Sequence, residues 1–106
     1  MSKKIRIYQI EHKRDKHRVK FMNSAYIKKQ YDGEIPADLY ECIYDAEFET
    51  DDLERIYAEF NSNKPRPENY TGHSISVSDI IEIVNENGSD FYICEPIGFK
   101  KIEFKK

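Results

Sequence analysis

Tryptophan is absent from this chain, and no apolar run approaches the roughly 18 residues that a membrane-spanning helix needs. There are two cysteines, Cys42 and Cys94, far apart and without metal-ligand spacing. Each falls inside a strand-like run, where a free buried thiol is the ordinary expectation. Phosphate-binding P-loops, dinucleotide fingerprints and the GxSxG elbow of serine hydrolases are all missing. Internal repeats and low-complexity tracts are missing too. The basic start, MSKKIRIYQIEHK, has charges interrupting every short apolar run, which argues against a secretory signal. A cytoplasmic location follows as the default for such a chain.

What is present is compact and strongly charged. At 106 residues the chain is expected to form one domain, residues 1–106, with little room for a large enclosed substrate cavity. Apolar residues make up 39% and charged residues 35%, a polar composition that still supports a core. Eight Tyr and six Phe supply the bulk, and the tyrosine hydroxyls favour the core boundary or a binding surface. The net charge of −3 conceals segregation: +8 over residues 1–29, −14 over residues 30–97 and +3 over residues 98–106. Either the ends neutralise the middle in the fold, or two opposed charged faces exist.

Alternation in KKIRIYQI predicts a half-buried strand over residues 3–10, with Ile5, Ile7 and Gln9 on one side. A charged loop follows, and VKFMN resumes an extended pattern that predicts a first hairpin. Asn23 or Ser24 is expected to cap a short helix through Ala25, Tyr26, Ile27 and Tyr31, closed by Asp32-Gly33. The run from Leu39 to Phe48 reads as a strand with Tyr40, Cys42 and Tyr44 on one face. The clearest helix opens at Thr50-Asp51-Asp52, where acidic residues suit the positive end of the helix dipole. Its Leu53, Ile56, Tyr57 and Phe60 form one buried stripe, so Ile56→Asp is expected to unfold the domain. NSNKPRPEN is a loop by composition. Ile80–Val84 and Phe91–Cys94 flank NENGSD, which suits an antiparallel hairpin, and Ile97–Phe104 supplies a last strand. The predicted class is α+β, a mostly antiparallel sheet of five to six strands with two helices on one side.

The most specific stretch is YTGHSISVSDIIEI. Gly72 allows a sharp turn, while Ser74, Ser76, Ser78 and Asp79 can satisfy backbone N–H groups as the chain enters the sheet. His73 can tie the loop down through a ring nitrogen. A catalytic alternative would use Ser74 or Ser76 as nucleophile, His73 as base and Asp79 as orienter. Neighbours so close in sequence seldom reach triad geometry, so a structural loop is the favoured reading. His12 and His17 beside Glu11 and Asp15 read as a solvated loop, not a metal cage. The carboxylates from Asp45 to Glu54 lack the glycine and ligand order of a calcium loop. No metal or cofactor is expected.

Taken together, IRIYQI, FMNSAYI, YDAEFETDDLERIYAEFN, YTGHSISVSDIIEI and YICEPIGFKKIEF resemble the YodL-like domain. The likeness spans nearly the whole chain and is most specific in GHSISVSDII followed by IGF. The resemblance implies a stand-alone accessory protein of the Firmicutes, often encoded on conjugative and other mobile elements. It carries over no catalytic residues. The basic start exceeds what the family leads one to expect.

Three functional expectations follow. The first is a non-enzymatic inhibitor or adaptor whose acidic surface, Glu47, Glu49, Asp51, Asp52, Glu54 and Glu59, occupies a basic groove on a larger host protein. Mobile elements must survive host nucleases with Lys/Arg-lined channels, which suggests an anti-CRISPR or antirestriction role. The second is a nucleic-acid-binding accessory protein using Lys13, Arg14, Lys16, Arg18 and Lys20. The third is a host regulatory protein acting on a cytoskeletal or cell-cycle partner.

Overall fold

A computed structural model describes residues 3–62 and 65–105. Of the NSNKPRPEN loop, residues 63 and 64 lie outside the described residues. Strand β1 (Lys3–Ile10) is followed by helix α1 (Ser24–Gln30), β2 (Tyr40–Phe48) and α2 (Leu53–Phe60). Strands β3 (Ile80–Asn85), β4 (Gly88–Cys94) and β5 (Phe99–Ile102) complete the chain. All five strands form one antiparallel sheet in the order β2-β1-β3-β4-β5, so the first strand is flanked on both sides. This is the expected α+β class.

Alternation along the strands gives the sheet two apolar faces, and a helix covers each. Ile5, Ile7, Ile81 and Ile83 pack with Ile56 and Phe60 of α2. Tyr8, Ile10, Ile80 and Ile93 pack with Ile27 of α1, Tyr40 and Phe104. The helices therefore lie on opposite sides of the sheet, which corrects the expectation of two helices on one side. The physical reason is that β1 and β3 are apolar on both faces near Ile7–Ile10 and Ile80–Ile81, and each face needs a cover. Full burial of Ile56 and Phe60 contributes on the order of 1.5–3 kcal/mol each before entropy is counted. Phe60 stacks on Tyr70 at 5.0 Å between centroids, anchoring the loop that follows α2.

Two further expectations are corrected. VKFMN is not a strand: Arg18 and Phe21 adopt positive φ (53° and 73°), and the Asp15 carboxylate accepts hydrogen bonds from Val19 N and Lys20 N. A locally bonded turn has replaced the ladder. In β2, Ile7 pairs with Tyr44 and Tyr8 with Cys42, leaving Ile43 as an extra residue. This bulge sends both Ile43 and Tyr44 to the α2 face, so Tyr44 does not share a side with Tyr40 and Cys42. Cys42 is consequently exposed, whereas Cys94 is buried and its thiol is pushed up to about 12 by desolvation.

The caps follow the sequence. Asn23 Oδ1 accepts from Tyr26 N at 2.9 Å, and α1 ends with Asp32 and Gly33 at positive φ. Asp52 Oδ1 accepts from Glu54 N at 3.0 Å and caps α2. The β3–β4 turn is tighter than expected: Asn85 faces Gly88, and Ser89 and Asp90 already belong to β4.

Candidate functional site

The acidic residues singled out in the sequence divide sharply once folded. Glu47 leaves the end of β2, Asp51 and Asp52 lie in the β2–α2 connection, and Glu54 sits in the first turn of α2; all four are exposed. Among the described residues none of the four joins an ion pair. Glu49 is different, since Arg55 Nη2 lies 3.2 Å from its Oε1. Glu59 lies about 140° around α2 from Glu54, on the flank that carries Arg55, so it is not part of the same corner. Asp51, Asp52 and Glu54 thus gather at the start of α2, whereas Glu47 projects from the opposite face of β2 and Glu49 is half-neutralised between them.

Beside this corner a groove of about 440 Å³ runs between the start of α2 and strands β3 to β5. Leu53, Ile83, Tyr92 and Phe99 form its apolar part; Asp51, Asp52, Glu54 and Asp90 supply carboxylates. Asp90 is bridged by Lys101 at 3.2 Å. The groove therefore offers an apolar floor with negative charge concentrated at its α2 side. Such a surface suits a cation carried on an apolar stem, as in Lys or Arg.

Elsewhere the basic ends do neutralise the acidic middle. Lys4 and Arg6 both reach Asp45 at 3.2 Å, and Arg6 Nη1 lies 3.0 Å from the buried Glu82 carboxylate. Burial pushes the Asp45 carboxyl up, but the bonds from Lys4 and Arg6 outweigh it and hold it below the usual carboxylate range. Tyr8 donates its hydroxyl proton to Glu82 at 2.7 Å, and desolvation followed by that bond raises the phenol well above its ordinary value. This ladder across β2, β1 and β3 is internally satisfied, so it leaves no free cation among its members for the carboxylates at the start of α2.

The GHSISVSD loop is built differently. Its polar groups point inward onto Gln9, a β1 residue only 2% exposed. Gln9 Nε2 donates to His73 O at 2.8 Å and Asp79 Oδ2 at 2.9 Å, while Gln9 Oε1 accepts from His73 N. Asp79 Oδ2 also accepts from Ser76 N at 2.8 Å. Ser78, at φ 83°, accepts from Phe21 N through Oγ, and its carbonyl accepts from the Tyr40 hydroxyl at 2.7 Å. Gly72 is required by this arrangement, because a Cβ there would overlap Gln9 Oε1 and press on Ile43 at 3.0 Å. No pattern in the sequence marks Gln9, since one amide in a strand resembles any surface position.

His73 Nδ1 lies 2.7 Å from Ser74 O, and because a carbonyl only accepts, that nitrogen carries the hydrogen. The 3.2 Å approach of Gln9 Nε2 to Nδ1 is then a contact of two donors. Nε2 of His73 and Oδ1 of Asp79 are buried without a partner among the described residues. Ser76 Oγ donates to Ser74 O at 3.2 Å, so the Ser–His–Asp order read in the sequence is not assembled by hydrogen bonds here. Burial lowers the His73 imidazole and raises the Asp79 carboxyl to about 7, the latter against opposing bonds from Ser76 and Gln9.

Of the basic segment, Lys13, Lys16 and Arg18 are exposed. Arg14 is held by Glu11 and by Asp38 O. Lys20 donates to Ile10 O at 2.6 Å and sits over the Phe21 ring. The five cations named in the sequence therefore do not form one free stripe.

Among the described residues, no helix is long and apolar enough to cross a membrane. Neither a curated protein nor a solved structure matches the chain. The family expectation, in contrast, is met over almost its full length: the model of the YodL-like domain matches residues 4–104, and the chain belongs to that family.

Proposed function

We propose that the domain acts without catalysis, as an inhibitor or adaptor that binds a basic surface of a larger protein. The observation that supports this reading is the corner formed by Asp51, Asp52 and Glu54, whose carboxylates have no cationic partner among the described residues and line an apolar-floored groove. Charge left uncompensated on a chain otherwise laced with cross-strand ion pairs is available to a partner. The partner class is a host protein with a Lys/Arg-lined nucleic-acid groove, and the finer reading is an anti-defence factor of the anti-CRISPR or antirestriction kind. Carboxylates spaced along the β2–α2 connection would stand in for backbone phosphates in such a groove. The same corner would serve a host cytoskeletal or cell-cycle partner, with identical chemistry on this side of the contact.

Pull-down from a host lysate at low and high salt, with wild-type and the Asp51→Lys, Asp52→Lys, Glu54→Lys triple variant, tests the reading. A partner retained by wild-type at low salt and lost with either perturbation supports it. Retention that is indifferent to salt and to charge reversal sinks it. A nucleic-acid role through exposed Lys13, Lys16 and Arg18 predicts a gel-shift that disappears when those three are replaced by Ala.

A further inference from the structure

Of the two edges of the sheet, one is guarded and one is open. Edge strand β5 has only four residues, is preceded by Gly98 at positive φ, and carries Lys100 and Lys101. Short length and lysines are the usual protection of an edge against stray pairing. Edge strand β2 has nine residues and neither lysine nor proline. Its first half is covered: Thr71 N and Oγ1 both donate to Ile43 O, at 2.9 and 3.3 Å, beside the bulge. Past Tyr44, no backbone bond among the described residues reaches the outer rim of β2. By the alternation of an antiparallel ladder, every second residue there turns its N–H and C=O outward.

We propose that the outer rim of β2 over residues 45–48 takes up an extended basic segment of the partner as a sixth strand. This rests on the acidic-corner reading above and specifies how the partner is gripped. The side chains on this rim select the occupant. Glu47 projects on the α1 side, where the cross-strand Lys4 bonds Asp45 and among the described residues leaves Glu47 without an ion pair; Glu49, held by Arg55, lies just beyond the strand end. Ala46 and Phe48 project to the α2 side, half-buried against the core. A segment alternating Lys or Arg with apolar residues would place its cations beside Glu47 and Glu49 and extend the apolar row of Ala46 and Phe48. Main-chain bonds would supply affinity and the alternating side chains specificity. A second copy of β2 is rejected by the same chemistry, because it would bring Asp45 and Glu47 against their own kind.

The test uses a fluorescein-labelled peptide, acetyl-Val-Lys-Val-Arg-Val-Lys-amide, titrated against the full chain by anisotropy. Two N-methylated forms block the odd-numbered or the even-numbered amides. The expected result is that one N-methylated form loses at least about tenfold in affinity while the other binds like the parent, because only alternate amides face the edge. Glu47→Lys should weaken the parent peptide by about tenfold. Hydrogen exchange should slow at alternate amides of residues 45–48 when the parent peptide is bound. If both methylated forms bind as the parent does, or if the parent fails to bind at low salt, strand addition is wrong. The acidic-corner reading would survive either outcome provided the triple variant still loses the lysate partner, so the two failures are separable.

Discussion

The 47–54 corner and the 72–79 loop draw on the same vocabulary of acidic and small polar residues, and the fold uses them in opposite ways. In the corner, carboxylates stand in water with no partner among the described residues except the cap made by Asp52 and the pair of Glu49 with Arg55. In the loop, Asp79 is fully buried and its Oδ2 is bound by Gln9 and Ser76, while the backbone of His73 and Ser78 is held by Gln9, Tyr70 and Tyr40. One region keeps its polar capacity for an outside molecule; the other consumes it in holding β1, β3 and the long connection together. The most family-specific motif is therefore occupied with architecture, and the less distinctive acidic run is the one left free.

That contrast can be broken most strongly through pH. Between about pH 4 and pH 7 the folded domain keeps a proton on Asp79 that the unfolded chain, with an ordinary value near 3.8, has already released. Stability from this group is present at low pH and falls as pH rises through the window, by a total on the order of 4 kcal/mol. His73 works the other way. Its lowered value costs stability as pH falls below the ordinary histidine value of 6.5. Asp79→Asn should remove the first slope and uncover the second, so that the denaturant midpoint of the variant rises with pH through 6.5. Parallel wild-type and variant curves from pH 4 to pH 8 would show that the Asp79 proton is not held in the fold.

Next in size is Gln9→Ala. It leaves Asp79 Oδ2 with one donor fewer and opens a cavity, and should cost about 3 kcal/mol in chemical denaturation. Gly72→Ala presses on the same amide and on Ile43, and should cost about 1–3 kcal/mol. A loss under about 0.5 kcal/mol from either would mean that the loop adapts freely. In the corner, Asp52→Ala should cost about 1 kcal/mol through the lost helix cap. Glu54→Lys should cost only about 0.3–1 kcal/mol through the helix dipole. Partner binding should respond in the reverse order, with Glu54→Lys damaging it more than Gly72→Ala.

Much of the fold was legible because it rests on period and punctuation. The alternation of KKIRIYQI, the helix opened at Asp52 and the NENG turn each became the predicted element, although of the α2 stripe Ile56 and Phe60 are buried, Leu53 is half-buried and Tyr57 stays exposed. What escaped was decided by tertiary packing. The bulge at Ile43 leaves only a run of three apolar residues, Cys42-Ile43-Tyr44, which a strand buried on both faces would also show, yet it redirects Tyr44 to the other core and exposes Cys42. VKFMN has strand-forming residues, but the Asp15 carboxylate binds two of its backbone amides and bends it. Of α1's residues only Ser24 and Ile27 are buried, too few for the sequence to reveal which face it covers. In the candidate site the carboxylates themselves were readable. Which of them would meet a cation was not, because Lys4, Arg6 and Lys101 approach from segments distant along the chain.

The central place of β1 also governs how the protein is made. Translation delivers β1 and β2 first, and about thirty further residues must emerge before β3 begins. At roughly 5–20 residues per second, β1 waits a few seconds with one flank unzipped. During that interval Lys3 on one face and Lys4 and Arg6 on the other put cations at the start of the strand, which discourage aggregation of a nascent hydrophobic segment. Arg6 later closes onto Glu82 and Lys3 onto Asn85. Residues that shield the unfinished polypeptide thus become the clasps of the finished sheet.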